Sequence, residues 1–216
     1  MGQVQAHGKE VRAMKLYMVR HGETHHNVQR LHQGHYNSSL TPKGIKQAQL
    51  IGERLKEESF DILYSSDLER AMMTASEIAK HHPGLVWIRT EQMREQAKGI
   101  YENQPYGVDP EEQKRQNVPW YWFKPPGGES LADVWDKIVG FYEGLKMKHE
   151  NDKVLLVSHG GPLLCLIMHL NGNAIDDIGS YKFLDNTSLS IYEPDESGKH
   201  RISLYNCTKH LENLAE

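Results

Sequence analysis

Two short apolar runs in this chain each end in a polar residue, a histidine and a glycine. Lys15-Leu16-Tyr17-Met18-Val19 leads into Arg20-His21-Gly22, and Val154-Leu155-Leu156-Val157 leads into Ser158-His159-Gly160-Gly161. An uninterrupted apolar run of this length reads as a strand covered on both faces, which calls for a parallel sheet between layers of helices. The rest of the pattern supplies those layers. Thr41-Pro42 opens a helix, Thr41 as cap and Pro42 in the first turn, with Ile45, Ala48, Gly52 and Leu55 along one face. Ile62-Leu63-Tyr64 reads as a second strand. Ser66 or Asp67 caps the next helix, which carries Leu68, Ala71, Met72, Ala75, Ile78 and Ala79 at helical spacing and stops at Pro83-Gly84. Val86-Trp87-Ile88 is a third strand. Ser130 and Asp133 form a capping-box start before the stripe Leu131, Val134, Trp135, Ile138, Phe141, Tyr142 and Leu145. A helix opened by Pro162 runs to Leu170. Late strands at 188–192 and 202–205 are joined by a turn at Asp195–Gly198. Strands alternating with helices predict an α/β fold, a three-layer sandwich with a mostly parallel central sheet and helices on both faces.

The 216 residues suit one domain over 15–216, with the polar residues 1–14 set apart as a disordered tail. One stretch fits neither period. Residues 99–128 hold Pro105, Pro110, Pro119, Pro125 and Pro126 and the cluster Trp120-Tyr121-Trp122-Phe123. Long ordered loops are commonly functional, and aromatics need something to cover, so this stretch is expected to form a cap-like insert over a site. Lys and Arg total 25 against 29 Asp and Glu, so the net charge is −4. That balance gives no electrostatic footprint for nucleic acid or an anionic membrane, and any anion site must focus positive charge in one cleft. Cys165 and Cys207 form no CxxC pair and no disulfide scaffold, and Cys165 belongs to an apolar helix. With no apolar run of about 18 residues and no signal-like leader, the expected setting is cytoplasmic.

In open α/β sheets ligands bind beyond the carboxyl ends of the strands. His21 and His159 both lie there, each before a glycine that lets the backbone turn and leaves room for a ligand, Gly160 in the second case. Pro162 opens a helix whose amino end faces the same crevice. Arg20 precedes His21, and Arg70 lies just inside a helix that follows a strand. Two guanidinium forks, two imidazoles and a helix amino terminus make a phosphate trap. Nearby arginines disfavour an imidazolium, which keeps His21 neutral and nucleophilic toward phosphorus. Arg20, Arg70 and His159 are then expected to stabilise the transferring group. A carboxylic acid must protonate the leaving alcohol, and Glu95 is the candidate, with Glu23 as rival. His25, His26, His32 and His35 lack metal-ligand spacing and interleaved carboxylates, so no metal is expected.

Tyr17 to Thr24, with Arg20-His21-Gly22-Glu23 at its centre, resembles the signature of the histidine phosphatase superfamily, the phosphoglycerate mutase-like family. The resemblance continues through Asn27, Gln33-Gly34, Leu40 to Ala48, Tyr64 to Ala71, Met93-Arg94-Glu95, Pro126 to Ser130 and Val157 to Gly161, spanning nearly the whole chain. It implies that His21 is the residue phosphorylated, that Arg20, Arg70 and His159 hold the phosphate, and that Glu95 donates the proton. Asn27, Gln33 and Gly34 match positions that line the substrate pocket, and no metal or organic cofactor is implied. Mutases of the family tend to carry a small hydroxyl residue where this chain has Gln33, and a longer insert after the acid; both differences resemble the phosphatase branch. Tyr101 and Asn103 depart from the Gly-x-Trp-Glu-Gly core that phosphatases tend to have after the acid.

The expected function is hydrolysis of a small phosphate monoester by a monomer or homodimer. A cofactor-dependent phosphoglycerate mutase is the alternative, and a catalytically silent phospholigand-binding module would need a lost catalytic residue.

Overall fold

The computed structural model describes residues 14–108, 110–195 and 200–214. Residues 1–13 of the expected tail, and all but Asp195 of the expected turn, lie outside these. Met14 does not belong with a tail: it is buried in the core, and Lys15 N–H donates to the Asp152 carbonyl (2.9 Å).

Six strands form one sheet: β1 (Lys15–Arg20), β2 (Ile62–Ser66), β3 (Val86–Thr90), β4 (Lys153–Ser158), β5 (Leu189–Pro194) and β6 (His200–Cys207). Their order is β3-β2-β4-β1-β5-β6. Strands β1 to β4 run parallel to one another, while β5 is antiparallel to β1 and β6 to β5. The two apolar runs are neighbours, in register from Lys15 opposite Lys153 to Arg20 opposite Ser158. That register brings the backbones of His21 and His159 out side by side.

Side chains alternate across the sheet with the strand period of two. Tyr17, Val19, Leu63, Leu155 and Val157 face one helix layer, α2 (Pro42–Leu55) and α3 (Glu69–Ala79), against Ile51, Leu55, Ala75 and Ile78. Leu16, Met18, Val154 and Leu156 face the other, α5 (Leu131–Lys148) and α6 (Gly160–Leu170). Each fully buried aliphatic chain there contributes roughly 1.5–3 kcal/mol of transfer free energy. The expected three-layer α/β arrangement is the one found.

Several local expectations change. Thr41 and the Ser130/Asp133 box cap as expected, but Ile45 stays exposed while Gln47 turns inward. Helix α3 starts at Glu69 with Leu68 as its cap residue, because Ser66 and Asp67 are committed elsewhere, as described below. Two short helices occupy stretches without apolar period: α1 (His25–Gln29) and α4 (Pro110–Gln116). A reciprocal box between Thr24 and Asn27 holds α1. β3 is an edge strand, so Val86 and Ile88 remain exposed, and Trp87 turns inward to donate Nε1–H to Ser65 Oγ (2.8 Å).

Candidate active site

A cavity of about 400 Å³ opens at the carboxyl ends of β1, β2 and β4, and Arg20, His21, Arg70, Glu95 and Gly160 line it. His21 is pinned on every side. Its N–H donates to the Ser158 carbonyl (2.9 Å), and its carbonyl accepts from Asn186 Nδ2 (3.0 Å) and Thr187 N–H (3.3 Å). Its Nδ1 lies 2.7 Å from the Gly22 carbonyl. A carbonyl can only accept, so Nδ1 carries the proton and Nε2 keeps its lone pair. Burial, then the charges of Arg70 and Arg20, hold the imidazole well below its usual 6.5. His21 is therefore neutral across the physiological range.

Gly22 is required by packing. A Cβ there would stand 2.5 Å from the Gly44 carbonyl oxygen, and one on Gly44 would stand 2.0 Å from the Glu23 carbonyl oxygen. This close approach also turns Glu23 away from the cavity. Its carboxylate accepts from Thr41 Oγ1 (2.9 Å) at the start of α2, so the geometry removes the rival acid.

Arg70 is buried and Arg20 half-buried. Burial lowers the Arg20 guanidinium from its usual value; its Nη1 donates to the Leu184 carbonyl, while its buried Nε has no partner among the described residues. Arg70 donates from Nη2 to Gly34 O (2.8 Å), from Nη1 to Tyr36 O (3.1 Å) and from Nε to His159 Nδ1 (3.2 Å). Burial lowers it to about 10, so it stays charged at neutral pH, and Arg20 pushes it in the same direction. Two mutually repelling cations, one of them fully buried, make a site whose field favours an anion.

His159 stands beside His21, their ring centroids 5.1 Å apart. It is fully buried and not part of the cavity lining. Its Nδ1 accepts from Arg70, so Nε2 carries the proton and donates to Ser66 Oγ (2.8 Å). Burial first, then Arg70, keeps it neutral. Through Nδ1 it supports Arg70, which lines the cavity. Ser66 Oγ also accepts Leu68 N–H (3.2 Å), so its hydroxyl serves His159 and the entry to α3 together.

Glu95 stands on a loop fixed at three points. Met93 O accepts from Ser158 Oγ (2.6 Å), Arg94 grips Asp67 with both arms of its fork, and Glu95 O accepts from His35 Nε2–H (2.9 Å). The carboxylate accepts N–H from Gln96 (2.9 Å) and Gly161 (3.3 Å). A Cβ on Gly161 would lie 2.4 Å from Glu95 Oε1, so this residue must be glycine for the acid to dock. The amino end of α6, expected to face phosphate, is thus partly taken by the acid itself.

Asn27, Gln33 and Gly34 line the cavity. Asn27 Oδ1 accepts from Thr24 N–H (3.1 Å), Gln33 Oε1 accepts from Thr24 Oγ1 (2.9 Å), and Gly34 adopts φ +51°. Sequence reasoning missed Lys98, Tyr106 and Phe183 in the lining, and Asn186, Thr187 and Ser66 behind it. The polar run Asp185 to Ser188, just before β5, was the available signal for two of these. The cap cluster divides: Trp120 lines the cavity, Phe123 is buried, and Trp122 is exposed. The loop histidines disperse, with His26 on Asn103 Oδ1 (3.0 Å) and His35 on the acid loop. Among the described residues no group of three or more His, Cys, Asp or Glu is placed to hold a metal ion.

A family model described as the histidine phosphatase superfamily (branch 1) matches residues 16–208. Phosphoserine phosphatase 1 of Hydrogenobacter thermophilus is 32% identical, over 92% of this chain and 94% of that protein. A phosphoglycerate mutase of Schizosaccharomyces pombe is also 32% identical, covering 86% and 92%. The crystal structure of the alpha-ribazole phosphatase from Shigella flexneri superposes with a TM-score of 0.81 at 28% identity, covering 90% of this chain and 96% of that one.

Proposed function

This chain belongs to the histidine phosphatase superfamily (branch 1), and from that premise we propose that it hydrolyses a small phosphate monoester through a phosphohistidine at His21. The observation that carries this reading is the tautomer of His21: neutral, with Nδ1–H spent on Gly22 O and an Nε2 lone pair in a cavity lined by two guanidinium groups.

The lone pair on Nε2 attacks phosphorus, the bond from phosphorus to the ester oxygen breaks, and its electron pair leaves with that oxygen. The proton comes from the Glu95 carboxyl. An incoming dianionic phosphate raises the proton affinity of a carboxylate beside it, which is how Glu95 becomes an acid once substrate is bound. Arg20 and Arg70 gather the equatorial oxygens as charge spreads over them. Glu95, now a carboxylate, takes a proton from water. The hydroxide forms the new bond to phosphorus, the phosphorus–Nε2 bond breaks, and phosphate leaves with neutral His21 restored.

Hydrolysis rather than return of the phosphoryl group is supported by two features. Gln33 occupies the wall where mutases tend to carry a small hydroxyl. The rim formed by Tyr106, Trp120 and Phe183 also leaves nearly half of each ring exposed, so water has access to the intermediate. The relatives include both kinds of enzyme, so the choice rests on those two features.

Brief reaction with a ³²P-labelled ester, alkaline quenching and peptide mapping should place acid-labile label on His21. Label on any other residue would falsify the assignment. Rapid interconversion of 2- and 3-phosphoglycerate with negligible phosphate release would instead establish the mutase.

A further inference from the structure

The phosphate end of the cavity accounts for Arg20, His21 and Arg70, but little of its volume. At about 400 Å³ the cavity lies within the range of roughly 300–1,000 Å³ that holds drug-sized ligands. Its outer wall is aromatic. Phe183 starts this wall directly above the phosphate end: the Cβ position of Gly160 is 3.6 Å from Arg20 Nε and 3.7 Å from Phe183 Cδ1, so guanidinium and ring flank the same glycine. Trp120 continues it outward, its ring centroid 6.3 Å from that of Phe183. Tyr106 also lines the cavity, its ring set edge-on against His32 at 5.0 Å.

None of the three rings hangs on a loose loop. Tyr106 N–H donates to Arg30 O (2.9 Å). Trp120 is held by its neighbour, whose carbonyl accepts Ala132 N–H (3.0 Å) at the start of α5, and by Phe123, which is buried. Phe183 precedes Leu184, whose carbonyl receives the Arg20 guanidinium. Rings fixed in place while still partly open to solvent are surfaces that a planar apolar group would cover.

We propose that this cavity selects phosphate monoesters whose alcohol carries an aromatic or heteroaromatic ring a few bonds from phosphorus, the ring lying against Phe183 and Trp120. The inference rests on the phosphatase reading above and adds the substrate class. A small polar ester would fill only the inner end and leave the aromatic wall wet.

The test compares 2-phenylethyl phosphate with n-propyl phosphate. Their leaving alcohols are of nearly equal basicity, so a difference in kcat/KM reports the ring and not the chemistry. The expected preference for the phenylethyl ester is about tenfold or more, the discrimination an apolar pocket gives a group that fills it. In the double variant Trp120→Ala, Phe183→Ala the ratio should fall to within about twofold of unity, and Trp120→Phe, which keeps a ring, should retain most of it. Equal kcat/KM for the two esters in the unaltered enzyme, or a ratio unchanged in the double variant, overturns ring selection and leaves the phosphatase reading standing. Phosphate release from neither ester, nor from a panel of other alkyl phosphates, overturns both.

Discussion

The two ends of the cavity are built on opposite principles. At the inner end, His21 and Arg70 emerge from the sheet and the helix behind it, almost wholly buried, with backbone and side chain bonded across four elements. At the outer end, Tyr106 and Trp120 stand on the turns of residues 99–128, anchored by a few backbone bonds and half open to solvent. The inner end has fixed charge, fixed tautomers and no slack. The outer end has shape and apolar surface but, apart from Lys98, little charge. On the proposed reading the contrast separates two jobs: chemistry common to any phosphate ester would fall to the part over-determined by the sheet, and discrimination between alcohols to the part that can vary without disturbing it.

That division can be broken first at Glu95, which stands on the inner side. Glu95→Gln should slow hydrolysis of alkyl phosphates by about 10²-fold or more, the usual contribution of a general acid. It should slow p-nitrophenyl phosphate far less, since that leaving group needs little protonation. Equal losses on both esters in steady-state assays would remove Glu95 as the acid. A smaller effect is expected at the clamp. Arg70→Lys keeps a positive charge but cannot serve Gly34, Tyr36 and His159 together, so kcat/KM should fall about tenfold or more. Kinetics like those of the unaltered enzyme would place Arg70 outside the reaction.

Acid should weaken the inner end selectively. His21 and His159 are held well below 6.5 in the folded chain, so below that pH the unfolded chain takes up protons that the folded one refuses. Stability is complete above about pH 6.5 and is lost as pH falls below it, by up to about 1.4 kcal/mol per pH unit for each histidine. Thermal melts from pH 7.5 to 5.0 should show this decline, with a shallower slope in His21→Asn; identical slopes would contradict it. The smallest effect belongs to the cap. Trp122 is exposed and outside the cavity lining; its indole donates to Asp176 at 3.4 Å and its ring meets that of Tyr121 with centroids 6.5 Å apart. Trp122→Ala should change stability by about 0.5 kcal/mol or less and leave kcat/KM within about twofold. A large loss there would mean the cap is one unit rather than a scaffold with a single working face.

Much of the inner end could be read from sequence, because a strand followed by histidine and glycine leaves little conformational choice. The long stripe on α5 was equally readable, since its period is sustained over an 18-residue helix. What could not be read is what tertiary partners decide. Ser66 and Asp67 both have the chemistry to cap α3, yet Ser66 is shared with His159, and Asp67 is taken by Arg94. Nothing along the chain says that His159 stands behind Arg70, or that Glu95 claims the Gly161 N–H. α1 and α4 were invisible because capping and local ion pairs, not apolar period, hold them. Of the cap, the sequence indicated that its aromatics would cover something, but not which of them would turn inward.

The contacts that hold His21 have a consequence in time. Its amide is bound to Ser158, and its carbonyl to Asn186 and Thr187, residues far downstream. Asn186 lies 165 residues further along the chain than His21, so the surroundings of His21 are finished only when β5 closes against β1. A half-assembled chain therefore carries the candidate nucleophile without the frame that fixes its backbone. Recovery of phosphatase activity during refolding should therefore trail the recovery of helix content.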